Sequence, residues 1–257
     1  MDFLQYNREA WNHQVDKKDK WTIPVSKDEI DQARKGIFSI ALTPSKPVPT
    51  EWFGYLKDAD ILCLASGGGQ QVPIFAALGA NVVSFDNSDN QLNQDEITCH
   101  ENNLSVKTIQ GDMRDLSVFE DESFDLIFNP CSTCFIDDVL PLWKECFRVL
   151  KKGGVLLTGF SNPFMYLFDQ EKRDKNILEV KYTLPYSDID SLTDEERKRY
   201  TDINDPLVYS HTLTSQIGGQ LKAGFHLVDF FEDNWNGSEI EDKYFPSFIA
   251  TKALKPF

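Results

Sequence analysis

The chain contains no apolar run that approaches the roughly 20 residues a membrane-spanning helix requires. Its first residues, MDFLQYNREAW, lack the basic start and apolar core of a secretory leader, so a cytoplasmic protein with no membrane partner is expected. Basic residues are scarce: 26 Lys and Arg stand against 41 Asp and Glu, a formal net charge of −15. A surface for a phosphate backbone would have to be assembled against that field, so no nucleic-acid partner is expected. The acidity reads first as solubility, with cationic ligands as the alternative. Cysteines number five. Cys131 and Cys134 form a C-x-x-C in NPCSTCF, but no second such pair and no nearby pair of histidines completes a four-ligand site. No metal is therefore expected, and a redox pair is the other reading of the motif. Cys63 and Cys146 sit in apolar patterns and read as buried thiols. There is no internal repeat and no low-complexity tract.

What is present is a chain of 257 residues with 41% hydrophobic side chains, enough for a large core in one enlarged domain or a domain with an insertion. The first fifty residues are polar and aromatic. Helices are predicted over Asp2–Asp16 and over Lys27–Gly36, where SKDE has the letters of an N-cap followed by acidic residues. TPSKPVPTEW is a proline-rich connector. From Ala59 the texture alternates. DILCLA, NVVSFD, VKTIQGD, FDLIFNP and GGVLLTGF read as five strands, with helices over Gln71–Leu78, Ser88–Glu101 and Pro141–Leu150. This alternation predicts an α/β fold with an open, mostly parallel sheet and right-handed crossovers. It breaks at Ser161–Ser210, which is too long for an ordinary loop. A helix over Leu213–Ala223, closed by Gly224, then leads to FHLVDFF and SFIATKAL. The polar stretch between these last two strands has no helical period, so they are expected to be antiparallel.

In such sheets ligands bind at the carboxyl ends of the strands, where the strand order reverses. The stretch CLASGGGQQ leaves the first strand there with three consecutive glycines, Gly67, Gly68 and Gly69. Glycine permits positive φ and close approach of a ligand, but it also simply makes turns. Asp86 ends the second strand at a distance from the glycines suited to a ribose-binding acid, with a helix N-cap as its plainer role. Asn87 follows it, Asp112 ends the third strand and Asn129 the fourth. Polar residues at three successive strand ends are hard to attribute to turns alone.

With these residues the chain resembles the class I S-adenosylmethionine-dependent methyltransferases, from about Ala59 to Phe160 and again from Leu213 to Leu254. CLASGGG stands where that family has an acidic residue and a G-x-G-x-G: Cys63 replaces the acid, Ala65 replaces the first glycine, and Gly67 and Gly69 match. Asp86 matches the ribose acid, Asp112 with Met113 the adenine edge, and FDLIFNP the strand-four motif. RVLKKGGVLLTGF and the terminal hairpin complete the likeness. The resemblance implies a Rossmann-like, doubly wound sheet of seven strands closed by an antiparallel hairpin. It implies an enzyme with S-adenosylmethionine as cofactor. It places the cofactor against Ala65, Ser66, Gly67, Gly68, Gly69, Asp86, Asn87, Asp112, Met113 and Asn129. Residues 1–50 would then form a helical cap, 51–160 and 211–257 the core, and 161–210 an inserted lid. A nicotinamide oxidoreductase would share the glycine turn and the acid, but not Asp112–Met113 or the hairpin. A non-catalytic cofactor-binding protein is a second alternative, against which a lid weighs.

Methyl transfer from a sulfonium is an in-line displacement that asks the protein mainly for proximity and orientation. A small-molecule acceptor is expected under the long segment 161–210. Tyr6, Trp11, His13 and Trp21 are candidates to wall the pocket, with packing of an N-terminal helix as the plainer reading. In 161–210, Phe164, Tyr166, Phe168, Tyr182 and Tyr186 could line an acceptor pocket or form a small core of their own. His211, where the segment rejoins the core, is the candidate general base. Asp137 and Asp138 are weaker candidates that also read as a helix start. His100 and His226 read as structural.

Overall fold

The computed structural model describes residues 2–257; Met1, within the expected cap 1–50, lies outside them. The N-terminal region contributes α1 (Phe3–Lys17) and α2 (Lys27–Ala33). In α2 the letters SKDE close a capping box in which Ser26 and Glu29 satisfy each other's backbone N–H groups.

The core then runs β1 (Asp60–Leu64), α3 (Gln71–Ala77), β2 (Asn81–Asp86), α4 (Asp89–Glu101), β3 (Lys107–Gln110), β4 (Phe124–Asn129), α5 (Leu140–Val149) and β5 (Leu150–Ser161). Two short helices, α6 (Gln170–Arg173) and α7 (Asp194–Thr201), interrupt the next segment. α8 (Leu213–Ala223), β6 (His226–Asp233) and β7 (Phe248–Leu254) complete the chain. No helix among the described residues is long and apolar enough to cross a membrane.

The strands form one seven-stranded sheet in the order β3-β2-β1-β4-β5-β7-β6. β1 to β5 pair in parallel, while β7 runs antiparallel to both β5 and β6. The strand order reverses between β1 and β4, so a crevice opens beyond their carboxyl ends.

Along β1 the pleat sends Ile61 and Cys63 into one core and Leu62 and Leu64 into the other. A strand buried on both faces has no reason to alternate polar residues, which explains the unbroken apolar letters. One core packs α2 and α3 on the sheet around Phe75 and Phe128; the other packs α5 around Trp143, with Phe225 behind α8.

Two expectations shift. The helix expected to reach Leu150 stops at Val149, and β5 begins at once at Leu150, ten residues of it preceding Phe160. Its early start is stabilised by pairing of Leu150 with Phe124, before a register shift toward Leu126. The β6–β7 connection, expected without helix, holds one short 3-10 turn at Ile240–Lys243.

The segment 161–210 docks on α1. Asn7 donates to the Leu207 carbonyl and accepts the Leu207 N–H, both at 2.9 Å. Tyr6 donates to the Asp205 carbonyl at 2.8 Å, and Phe3 packs edge-on against Tyr209. α1 is tied in turn to the start of α4, where its Asn12 side chain accepts from the Ser88 hydroxyl at 2.7 Å and its Arg8 pairs with Asp89.

Candidate functional site

A cavity of about 480 Å³ lies over the carboxyl ends of β1, β2, β3 and β4. Its floor comes from the loops that leave those strands. Its roof comes from Leu4, Asn7 and Trp11 of α1 and from Met165 and Tyr166 of the 161–210 segment.

The glycine loop divides into two functions. Gly68 and Gly69 hold φ of 106° and 77°, a left-handed conformation that other residues adopt at a cost. Neither lines the cavity. A Cβ on Gly69 would strike Thr98 and Pro24, so that glycine serves close packing against α4 and the N-terminal stretch. Its N–H goes to the buried Asp95 carboxylate at 2.7 Å, and its carbonyl accepts from Val25 N–H at 2.8 Å. Gly67 is different. It lines the cavity, and a Cβ there would meet Gln91 Cβ at 2.8 Å and Asp86 Oδ2 at 3.2 Å. Ala65 and Ser66 line the cavity beside it. Ala65 takes the left-handed φ of 44° although it is not glycine, and its N–H is held by the Phe85 carbonyl at 2.8 Å. Cys63, where the resemblance has an acid, is wholly buried in the core, so the loop carries no carboxylate of its own there.

Asp86 stands on the cavity wall. Its Oδ1 accepts the Ser88 N–H at 2.8 Å and its Oδ2 the Gly67 N–H at 3.3 Å. Burial outweighs these bonds and pushes its carboxyl up to about 6. Asn87 also lines the cavity, its amide donating to the Leu4 carbonyl of α1 at 2.9 Å. Asp112 and Met113 line the same wall. The Asp112 carboxylate is engaged by Arg114, which reaches on to Asp137.

Not every expected residue converges. Asn129 is fully buried and does not line the cavity. Its amide donates to the Leu64 carbonyl at 3.1 Å and to Ser132 Oγ at 2.8 Å, while its oxygen accepts from Thr158 Oγ1 at 3.0 Å. It fastens the ends of β1, β4 and β5 together instead of facing a ligand. His211 requires a correction as well. It is buried outside the cavity wall, and its Nε2 lies 3.0 Å from both the Thr133 and the Ile136 carbonyls. A nitrogen held by two acceptors is an N–H donor, and burial lowers the ring's affinity for a proton. His211 therefore shapes the 133–136 turn and is not placed to act as a base. Asp137 pairs with Arg114 and Asp138 accepts the Leu140 N–H at 2.9 Å just ahead of α5, and neither lines the cavity.

Trp11 and Trp21 do wall the cavity, whereas Tyr6 and His13 do not. The five aromatic residues of 161–210 split. Tyr166 faces the cavity, Tyr182 and Tyr186 pack together behind it, and Phe164 and Phe168 pack on Phe245. Cys131 and Cys134 also line the cavity as free thiols, Cys134 pushed up to about 12 by burial. No cluster of three or more metal-ligating side chains occurs among the described residues.

Sequence reasoning missed Lys20, Gln91, Trp235 and Phe248 on the cavity wall, and Asp95 beneath it. Gln91 and Asp95 lie in the first turns of the helix that follows Asp86, and that proximity was their one legible signal. Trp235 comes from the polar β6–β7 connection, where nothing local marks it.

Whether this wall suits an adenosine-bearing sulfonium can be tested on its own groups. Gly67 lines the cavity beside Asp86, and the space its side chain would take is filled by Gln91, so its backbone packs close to α4. Asp86 offers a carboxylate to the sugar hydroxyls from the cavity wall. The apolar Phe85, Met113 and Ile136 provide flat contacts nearby. The residues fit.

Comparison with known proteins agrees. Residues 62–158 match the family model described as a methyltransferase domain. The uncharacterized methyltransferase YbaJ of Bacillus subtilis is 44% identical over 252 residues, covering 98% of each chain. A sterol 24-C-methyltransferase of Aspergillus fumigatus, erg6, is 33% identical over 102 residues, which are 39% of this chain and 26% of that protein. In fold, the crystal structure of an S-adenosylmethionine dependent methyltransferase from Mesorhizobium loti superposes with a TM-score of 0.63 at 16% identity, covering 79% of this chain and 94% of that one.

Proposed function

The chain belongs to the class I S-adenosylmethionine-dependent methyltransferases, and from that premise we propose that it methylates a small molecule enclosed beneath α1 and the segment 161–210. One observation carries the acceptor reading. The cavity continues without interruption from Asp86 and Gly67 to walls of Trp21, Tyr166, Trp235 and Phe248 under the roof. A roofed cavity of this size suits a small molecule better than a protein or nucleic-acid surface. The sterol relative matches only 102 residues, 39% of this chain and 26% of its own length, so its substrate is not carried over to this cavity.

When bound, the sulfonium supplies an activated methyl group. Asp86 would hold the ribose beside Gly67, and Asp112 with Met113 would border the adenine. The aromatic walls orient the acceptor for in-line attack and exclude water. Among the described lining residues the carboxylates are Asp86 and Asp112, both on the cofactor side, and none is a histidine. Cys131, Cys134 and Tyr166, on the acceptor side, have burial-raised proton affinities and make poor bases. The favoured acceptor is thus an atom that is nucleophilic without losing a proton to a side chain.

Calorimetric titration tests the reading. S-adenosylmethionine and its demethylated product should bind, and NAD should not compete. Tighter binding of NAD would refute the proposal and restore the oxidoreductase alternative.

A further inference from the structure

Among the described residues that line the cavity three are charged, and two of those are already engaged by the protein. Asp112 is held by Arg114, and Asp86 by the N–H groups of Gly67 and Ser88. The third is Lys20, the one cation on the described wall. Its ammonium makes no ion pair with any described carboxylate, in a chain where acidic residues far outnumber basic ones. A lysine left unpaired amid that negative charge is open to an anion that enters the cavity.

Local structure sets its place. Asp19 caps the 3-10 turn Lys20–Thr22 by accepting the Trp21 N–H at 3.0 Å, and the Gln70 amide donates to the Lys20 carbonyl at 3.4 Å. The side chain then carries the ammonium to 4.7 Å from the centroid of the Trp21 ring and 5.7 Å from that of Trp235. The two rings lie 6.3 Å apart, and Trp235 packs edge-on against Phe248 at 4.7 Å. Lys20 thus belongs to the aromatic wall assigned above to the acceptor. Aromatic faces attract its charge but give its three N–H donors no oxygen to bond. Lys20 and Trp21 are both exposed, so a ligand reaches this part of the wall from solvent.

Resting on the small-molecule acceptor reading above, we propose that the acceptor is a flat apolar acid, whose carboxylate is received by Lys20 and whose body lies against Trp21, Trp235 and Phe248. The ammonium supplies charge-assisted hydrogen bonds, and the rings exclude water beside them. Ion pairing draws electron density from the carboxylate oxygens, so the carboxylate is a handle and the attacking atom lies elsewhere on the molecule. The methyl donor carries a carboxylate too, on its amino-acid end, and the test separates the two sources.

The full chain, saturated with S-adenosylhomocysteine, is titrated calorimetrically with 2-naphthoate and with 2-naphthamide, which share a ring system and differ in charge. The parent should bind the acid about tenfold more tightly than the amide. Lys20→Met removes the charge and keeps an apolar stem. It should erase the preference by weakening the acid and leaving the amide unchanged, and Lys20→Arg should restore it. The affinity of Lys20→Met for S-adenosylhomocysteine itself should match the parent's within about twofold. Equal binding of acid and amide by the parent overturns the proposal, as does failure of the acid to bind or a preference that survives in Lys20→Met. A loss of S-adenosylhomocysteine affinity in Lys20→Met also overturns it, by giving the lysine to the donor's carboxylate. Failure of the parent to bind S-adenosylhomocysteine is a separate result, which removes the methyl-donor reading before any acid is added.

Discussion

Asp95 accepts the backbone N–H of Gly69 at 2.7 Å through one carboxylate oxygen and the Ser84 hydroxyl at 2.7 Å through the other. A fully buried residue of α4 thus fastens the turn that follows β1 to the strand beside it. Burial pushes the Asp95 carboxyl up to about 8, with Asp86 and Glu96 adding repulsion against its two hydrogen bonds. The native state therefore holds this proton where the unfolded chain, near 3.9, has lost it. Below about pH 4 both states are protonated and there is no penalty. As pH rises toward 8 the penalty grows, and above 8 it is complete. Asp95→Asn keeps the shape and removes the charge. Urea unfolding should show the variant gaining on the parent by about 1–3 kcal/mol at pH 9, with the gain shrinking toward pH 5. A difference independent of pH would mean that Asp95 is not the group that titrates.

Asp86 titrates lower, at about 6, and there the consequence is for binding. Ribose hydroxyls donate to its ionised form. Affinity for S-adenosylhomocysteine should hold above pH 7 and fall as pH drops through 6, approaching tenfold per unit well below it. Asp86→Asn should bind weakly at every pH, roughly 1.5–3 kcal/mol below the parent at pH 8. Were the parent's affinity flat from pH 8 to pH 5, the carboxylate would not be touching the ligand.

His211 has its Nε2–H shared between two carbonyls, and burial disfavours its charged form. A ring kept neutral in the native state opposes folding at acid pH, so its contribution to stability should fall as pH drops below about 6.5. His211→Ala should cost about 1–3 kcal/mol in unfolding free energy, the range for stranding buried polar partners. The pH profile of methyl transfer, measured once an acceptor is in hand, should keep its shape between pH 6 and 8. Loss of the acid limb, the fall in rate as a base takes up its proton, from the variant's profile would restore His211 as the base.

Ala65 sits at φ 44° in the first position of the loop. A Cβ in the left-handed region costs about 1–2 kcal/mol, partly offset by the lower entropy of alanine in the unfolded chain. Ala65→Gly should consequently raise stability by about 0.5–1 kcal/mol without weakening cofactor binding, and thermal unfolding with calorimetry would check both. Lower stability would show that the alanine methyl packs to more effect than its backbone is strained.

The sheet was legible because its signals are local. Unbroken apolar letters in β1 and β4 report burial on two faces, and the helices after β1 and β2 begin within a few residues of where turn chemistry places them. The strand-end residues Asp86, Asp112 and Met113 were legible for the same reason, since the topology brings strand ends together whatever the side chains do. Asn129 shows the limit of that logic. A strand end can spend its side chain on tying neighbouring strands, and sequence does not say which way it turns. His211 misled because proximity in the chain to the roof says nothing about which carbonyls its ring meets. Trp235 and Phe248 were invisible because they reach the cavity only through the antiparallel return of β7 between β5 and β6.

That distant parts of the chain build the roof leads to a last expectation, centred on Asn7. Its side chain closes two hydrogen bonds with the backbone of Leu207, and both residues are buried. The neighbours repeat the pattern, Tyr6 and Gln14 bonding to Asp205 and Lys17 to the Ile203 carbonyl. Residues 203–207 therefore add little secondary structure of their own and depend on α1 for partners. If the roof opens to admit ligands, α1 and this strip should move together, because separating them would leave the Leu207 N–H and carbonyl unpaired at about 1–3 kcal/mol each. Asn7→Ala removes both bonds at once and leaves the sheet untouched. Hydrogen exchange should then accelerate in parallel across α1 and 203–209, while amides of β1, β4 and β5 keep the parent's rates. Proteolysis between α6 and α7 should speed up as well, and bound S-adenosylhomocysteine should slow it, since Leu4, Asn87 and Trp11 join the roof to the cofactor wall. Faster exchange in 203–209 with α1 unchanged would show that the two halves of the roof open separately, and would leave the N-terminal helix as a fixed wall.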